Sequence, residues 1–115
     1  MTTTKSRDIP AATTLALAEL IALPEQGIAS RILAKNSGGS VTLFAFDEGQ
    51  GLSEHTSPFD ALVVVLEGRL ALTIGGEPVD ATAGTIVRMP AQAPHAVDAV
   101  EPSRMLLVML RDQTT

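Results

Sequence analysis

Residues 61–76 read Ala-Leu-Val-Val-Val-Leu-Glu-Gly-Arg-Leu-Ala-Leu-Thr-Ile-Gly-Gly, and this stretch decides the fold. Ala61–Glu67 is a nearly continuous run of β-formers, Gly68 interrupts it, Arg69–Ile74 resumes it and Gly75-Gly76 turns the chain. Runs this short, each closed by glycine, have the length of strands rather than helices. The rhythm continues outward on both sides. Upstream, Ile28–Lys35 is followed by the turn residues Asn36–Ser40, and Val41–Phe46 by Asp47–Gly51. Downstream come Val79–Ala81, Thr85–Met89, His95–Val100 and Met105–Leu110. Short strands with turn signals at intervals of roughly 8–12 residues predict an all-β sandwich or barrel.

The 115 residues suffice for one domain and are too few for two cores. An apolar content of 45% against 18% charged excludes a disordered tail. The chain has no cysteine, which excludes disulfides, thiolate metal sites and cysteine nucleophiles. The net charge of −5 and singly scattered basic residues argue against a nucleic-acid partner. Near the N-terminus Leu15–Leu23 is apolar but interrupted by Glu19, and far short of the roughly 20 residues of a membrane span. Asp8, Pro10 and Glu19 argue against a signal peptide after Lys5 and Arg7, and Ala16-Leu17-Ala18 lies inside the apolar run. A cytoplasmic location without membrane contact is expected. Residues 1–13 are polar and read as a flexible segment ahead of a domain at 14–115. Leu15–Leu23 itself reads as one short helix or strand stopped by Pro24.

Strand alternation assigns faces. If Ala61 points inward, Val63 and Val65 do too, while Asp60, Leu62, Val64 and Leu66 point outward. Leu62, Val64 and Leu66 then need a cover outside the barrel, and Met105–Leu110 makes the same demand. A second copy of the chain is the simplest cover, so a homodimer is expected. Phe44 and Phe46 share a face and read as core, as do Met89, Met105 and Met109. Phe59 reads as packing in preference to a lid.

Two stretches carry a family resemblance. Gly49, His55, Ser57, Ala61 and Gly68 fall at the spacing G-x5-H-x-H-x3-E-x6-G, with Ser57 at the second histidine and Ala61 at the glutamate. Gly84, Pro90, Gln92, His95 and Ala99 fall at the spacing G-x5-P-x-G-x2-H-x3-N, with Gln92 at the second glycine and Ala99 at the asparagine. Over about residues 41–110 the sequence resembles the cupin superfamily. Val65-Leu66-Glu67-Gly68 and Pro90–His95 look like its small bacterial single-domain members in particular. The resemblance implies a jelly-roll-like, double-stranded β-helix barrel. It also implies metal ligands at two histidines and a glutamate of the first motif and the histidine of the second. This chain keeps two of those four, a degenerate site.

The residues alone support the same count. With two histidines in the chain, a three-histidine site within one subunit is arithmetically excluded. A tightly bound divalent ion usually takes three or four protein ligands. Asp60, beside position 61, is the candidate third ligand to His55 and His95, and it turns inward only if the strand begins after it. No cofactor is expected, with weak divalent metal binding the alternative. Three functions stay open. The first is a cupin that binds an unknown small molecule through His55, Ser57, Ala61, Val63 and His95. The second is a metal-dependent oxygenase or isomerase using His55, His95 and Asp60. The third is a structural or interaction protein with a vestigial pocket, which predicts histidines that lie apart.

Overall fold

The computed structural model describes residues 8–111. They form a single 3-10 turn (Leu17–Glu19) followed by nine strands. These are β1 (Ile28–Asn36), β2 (Gly39–Phe46), β3 (Gly51–His55), β4 (Asp60–Glu67), β5 (Arg69–Ile74), β6 (Glu77–Thr82), β7 (Ile86–Met89), β8 (His95–Ala99) and β9 (Ser103–Leu110). They make two antiparallel sheets, of order β1-β2-β9-β4-β7 and β3-β8-β5-β6, stacked as a jelly roll. Eight strands coincide with the apolar runs in the sequence. The strand the sequence does not announce is β3. Gly51-Leu52-Ser53-Glu54-His55 offers a single apolar residue, and its pairing to β8 supplies the order that propensity does not.

The core lies between the sheets. Ala61, Val63 and Val65 of β4 are at most 2% exposed and pack with Phe46, Leu70, Leu72, Ala81, Met89, Val97, Ala99 and Met105. The inward assignment of alternate β4 residues therefore holds, as does the core reading of Phe44, Phe46, Met89 and Met105. Phe44 and Phe46 stack with ring centroids 5.9 Å apart. Phe59 is half-buried, and the Arg111 guanidinium lies 5.2 Å over its ring.

The outer face of the five-stranded sheet is covered in part by the chain's own N-terminal segment. Ile9, Leu20 and Ile21 pack with Leu33, Leu43, Ala45, Leu66 and Leu106. Leu66, expected to await a partner, is thus met within the chain, while Leu62 and Val64 stay half-buried. Leu15–Leu23 is neither helix nor strand. It is an irregular strap with one 3-10 turn, because its apolar residues serve a sheet face instead of pairing a ladder. Backbone and charge fasten it. Ile9 N donates to Leu33 O at 2.7 Å, Lys35 N to the Asp8 carboxylate at 3.0 Å, and Arg104 Nε to Ile21 O at 3.1 Å. Asp8 and Ile9 are therefore bound to β1, although residues 1–13 read as flexible; residues 1–7 lie outside the described residues. Gln26 N and Glu48 N donate to the Asp47 carboxylate, and these two bonds hold its pKa below the usual carboxylate range. Among the described residues no helix is long and apolar enough to cross a membrane.

Candidate functional site

His55 ends β3 and His95 opens β8, and the two are register partners. On β8 the burial pattern places His95, Val97 and Ala99 inward. On β3, Leu52 pairs with Val97, so strict alternation would bring Glu54 opposite His95. The ladder instead shifts register between Leu52 and His55. Such a bulge inserts one extra residue and re-aims the side chain that follows. It places His55 against His95 and leaves Glu54 exposed. His95 is 6% exposed; His55 is open to solvent.

The two rings meet edge to face, at an interplanar angle of 68° and a centroid separation of 4.3 Å. Their Nε2 atoms stand 3.1 Å apart. Each Nδ1 lies against the carbonyl two residues earlier: His55 on Ser53 O at 2.8 Å, His95 on Ala93 O at 3.0 Å. A carbonyl oxygen carries no hydrogen, so both Nδ1 atoms donate. The Nε2 atoms are within hydrogen-bond distance of each other, a contact that one shared proton satisfies, donated by one ring and accepted by the other. No side-chain motif announces this, because Ser53 and Ala93 act through their backbone oxygens.

Two loops frame the pair. Gln92 N donates to Ser57 O at 2.8 Å, so the β7–β8 loop is tied to the β3–β4 loop. Gln92 holds φ +68, where the motif has glycine, a left-handed conformation that side chains other than Gly, Asn and Asp seldom adopt. The Ser57 hydroxyl accepts from Phe59 N at 3.0 Å and so caps its own loop.

The remaining candidates fall elsewhere. Asp60 is not brought to the histidines. Its Oδ1 accepts from Arg88 Nη2 and from Ala91 N, each at 3.1 Å, because β4 starts at Asp60 itself and alternation turns the carboxylate outward. Ala61 and Val63 face inward, 2% and 0% exposed, within the packed interior. Among the described residues no three His, Asp or Glu side chains converge as a metal-binding group. The four-ligand set implied by the motifs therefore does not fit these residues. Ser57 Oγ is engaged with a backbone donor and Ala61 has no donor atom. A surface groove of about 330 Å³ lies on the other sheet, lined by Lys35, Asn36, Gly39, Val41, Val108 and Leu110, away from the histidines.

The paired motifs thus sit where a jelly roll brings two strand ends together, and the sequence profile of the cupin domain matches residues 42–110. The chain belongs to the cupin family. A conserved protein of unknown function from Streptococcus pyogenes has a similar structure, with 34% identity and a TM-score of 0.87, over 93% of this chain and 94% of that one. A cupin superfamily protein from Desulfitobacterium hafniense is 28% identical with a TM-score of 0.85, over 95% of this chain and 100% of that one. A cupin 2 conserved barrel domain protein from Leptotrichia buccalis is 34% identical with a TM-score of 0.79, over 82% of this chain and 46% of that one. No curated protein sequence matches the chain. Within this cupin, the two motif histidines are register partners at the ends of β3 and β8, and Ser57 and Ala61 stand where the resemblance implies two further ligands.

Proposed function

We propose that this cupin is a small-molecule-binding domain whose recognition element is the His55–His95 pair. The observation that carries the reading is the 3.1 Å approach of the two Nε2 atoms with both Nδ1 atoms fixed by backbone carbonyls. A vestigial pocket would place no constraint on ring orientation. Here four hydrogen-bonding atoms are arranged, and one ring is open to solvent. Ser57 adds a hydroxyl nearby in sequence. Ala61 and Val63 enter the reading only as part of the packed apolar interior, 2% and 0% exposed.

The test uses a panel of small sugars, hydroxy acids and amino acids at roughly millimolar concentration, where a Kd near 1 mM corresponds to about −4 kcal/mol. EDTA is present throughout, and the ring resonances of His55 and His95 are followed by NMR. We expect at least one compound to move both rings. The double variant His55→Ala/His95→Ala should then lose at least tenfold in affinity with an unchanged circular dichroism spectrum. Undiminished affinity in that variant removes the proposal.

We also propose that a second copy of the chain covers the rest of the outer sheet face. Register places Val41, Val108 and Leu62 side by side, with Leu106, Val64 and Ile86 in the next row. Ile86 is 61% exposed, and the strap does not reach it. Sedimentation should give twice the 12.0 kDa chain mass. Leu62→Glu should return the monomer. A wild-type monomer at roughly 100 µM, a concentration at which any stable apolar interface would be filled, rejects the dimer.

A further inference from the structure

We propose that Arg111, seated over the ring of Phe59, is a carboxylate clamp: the small molecule taken at the His55–His95 pair is an organic acid, and its carboxylate pairs with this guanidinium. The inference rests on the pair being the recognition element and names the class of ligand it takes.

Phe59 and Arg111 share one end of the jelly roll with the histidines. His55 ends β3, and residues 56–58 alone separate it from Phe59, which leads into β4. On the β4–β9 ladder Ala61 pairs with Met109 and Asp60 with Leu110, so the next step sets Phe59 beside Arg111. Ala61 faces the interior, and period two gives Phe59 the same side, at the rim where β4 begins. The loop that carries Phe59 is also bonded to the loop that presents His95. Phe59 N donates to Ser57 Oγ, and Gln92 N donates to Ser57 O.

The surroundings of Arg111 set it apart. Arg69, Arg88 and Arg104 each meet a carboxylate, of Asp80, Asp60 and Glu67 respectively. Arg31 donates to Leu20 O. Among the described residues the Arg111 guanidinium meets no carboxylate, and its neighbour is the Phe59 ring, 5.2 Å from its central carbon. A guanidinium carries five N–H donors in a planar fork, and contact with a ring uses none of them as hydrogen bonds. The main chain holds the residue in place, since Arg111 N donates to Gly38 O at 2.9 Å. A fork held against a ring and short of an acceptor is arranged for a planar, bidentate carboxylate. Charge points the same way. At a net charge of −5 the chain gives an anion no long-range attraction, so a local cation has to supply it. One guanidinium balances one carboxylate. A phosphate ester carries roughly −1.5 to −2 charges and needs more than this rim offers, because Arg88 is already held by Asp60.

The test follows lactate, 3-hydroxybutyrate and gluconate, each beside its neutral amide, by NMR of the full chain with EDTA present. The chain has three phenylalanines and two histidines, so the rings of Phe59, His55 and His95 are readily followed. At least one acid should move the Phe59 ring together with both histidine rings, and bind at least tenfold more tightly than its amide. Arg111→Gln, at an exposed position, should lose at least tenfold in affinity for that acid, leave the amide unchanged and keep the circular dichroism spectrum. Arg69→Gln removes the same charge beyond the other end of β4 and should change neither affinity. Loss for acid and amide alike in Arg111→Gln would mean that Arg111 only closes the end of the jelly roll. An equal loss in Arg69→Gln would mean a general effect of charge. Either result overturns the clamp, as does tighter binding of glycerol 3-phosphate than of the acids. Acids and amides that move both histidine rings equally well would overturn the clamp and leave the small-molecule reading standing. No movement of either histidine ring by any compound would remove the two together.

Discussion

Gly68→Ala is expected to lower stability by about 3–5 kcal/mol, from left-handed strain plus a broken buried hydrogen-bond set. Gly68 separates β4 from β5 at φ +83. A Cβ there would stand 2.2 Å from Ser103 Oγ and 2.4 Å from Pro102 O. Neither can retreat cheaply. Ser103 is fully buried, its hydroxyl donates to Glu101 O at 2.8 Å, and it accepts from Arg69 N at 3.0 Å. Moving it unpairs a strand's first amide. For a domain of this kind, with roughly 5–15 kcal/mol in total, such a loss takes away much of the stability. Gly84→Ala is the matched control. Gly84 has φ +84 and nothing within 4 Å of the added Cβ, so its cost is the conformational part, about 1–2 kcal/mol. Urea midpoints of the two variants separate crowding from strain. Equal midpoints would refute the close packing of Gly68 on Ser103.

The legible part of the fold was the part set by local chemistry. Ala61–Glu67 and Arg69–Ile74 are β-formers closed by glycines, and their strands begin and end within a residue of those marks. The inward set Ala61, Val63 and Val65 follows from period two alone. The illegible parts are set by partners distant in sequence. β3 has little intrinsic strand character and exists because β8 pairs with it. The stretch Leu15–Leu23 has apolar residues without a period, because they meet a sheet face irregularly. The sequence shows that Leu66 needs cover, but not that Ile21, 45 positions upstream, belongs to the cluster that supplies it.

For the site, motif spacing located His55 and His95 and the two absent ligands. It could not locate the bulge, since the extra residue on β3 is defined only against β8. It could not fix the tautomers either, because the groups that fix them are the carbonyls of Ser53 and Ala93. Asp60 shows the same limit from the other side. Adjacency to position 61 made it a candidate, while the onset of β4 at Asp60 turned it to Arg88. The chemistry of the pair therefore depends on one register shift and two backbone oxygens, none of which residue type alone discloses.

Arg104→Ala is expected to release the N-terminal strap and to cost about 2–3 kcal/mol, the upper part of the range for breaking a buried pair being reduced by solvent at one partner. The Arg104 side chain is 13% exposed. Its Nη1 pairs with the Glu67 carboxylate of β4, and its Nε donates to Ile21 O at 3.1 Å. One guanidinium thus joins β9, β4 and the strap. Without it, Glu67, at 43% exposure, recovers some hydration, but Ile21 O loses its donor beside a buried apolar side chain. The strap then keeps Ile9 N to Leu33 O, Lys35 N to the Asp8 carboxylate and Arg31 Nη1 to Leu20 O, all near its ends or on exposed residues. Local opening should rise before global unfolding does. Limited proteolysis should therefore cut residues 22–27 at least tenfold faster in Arg104→Ala, with the β1–β9 fragment surviving. Glu67→Gln retains the bond to Ile21 O and should accelerate cleavage far less. If the two variants are cut at the same rate, the carbonyl bond does not hold the strap, and the ion pair alone accounts for the effect.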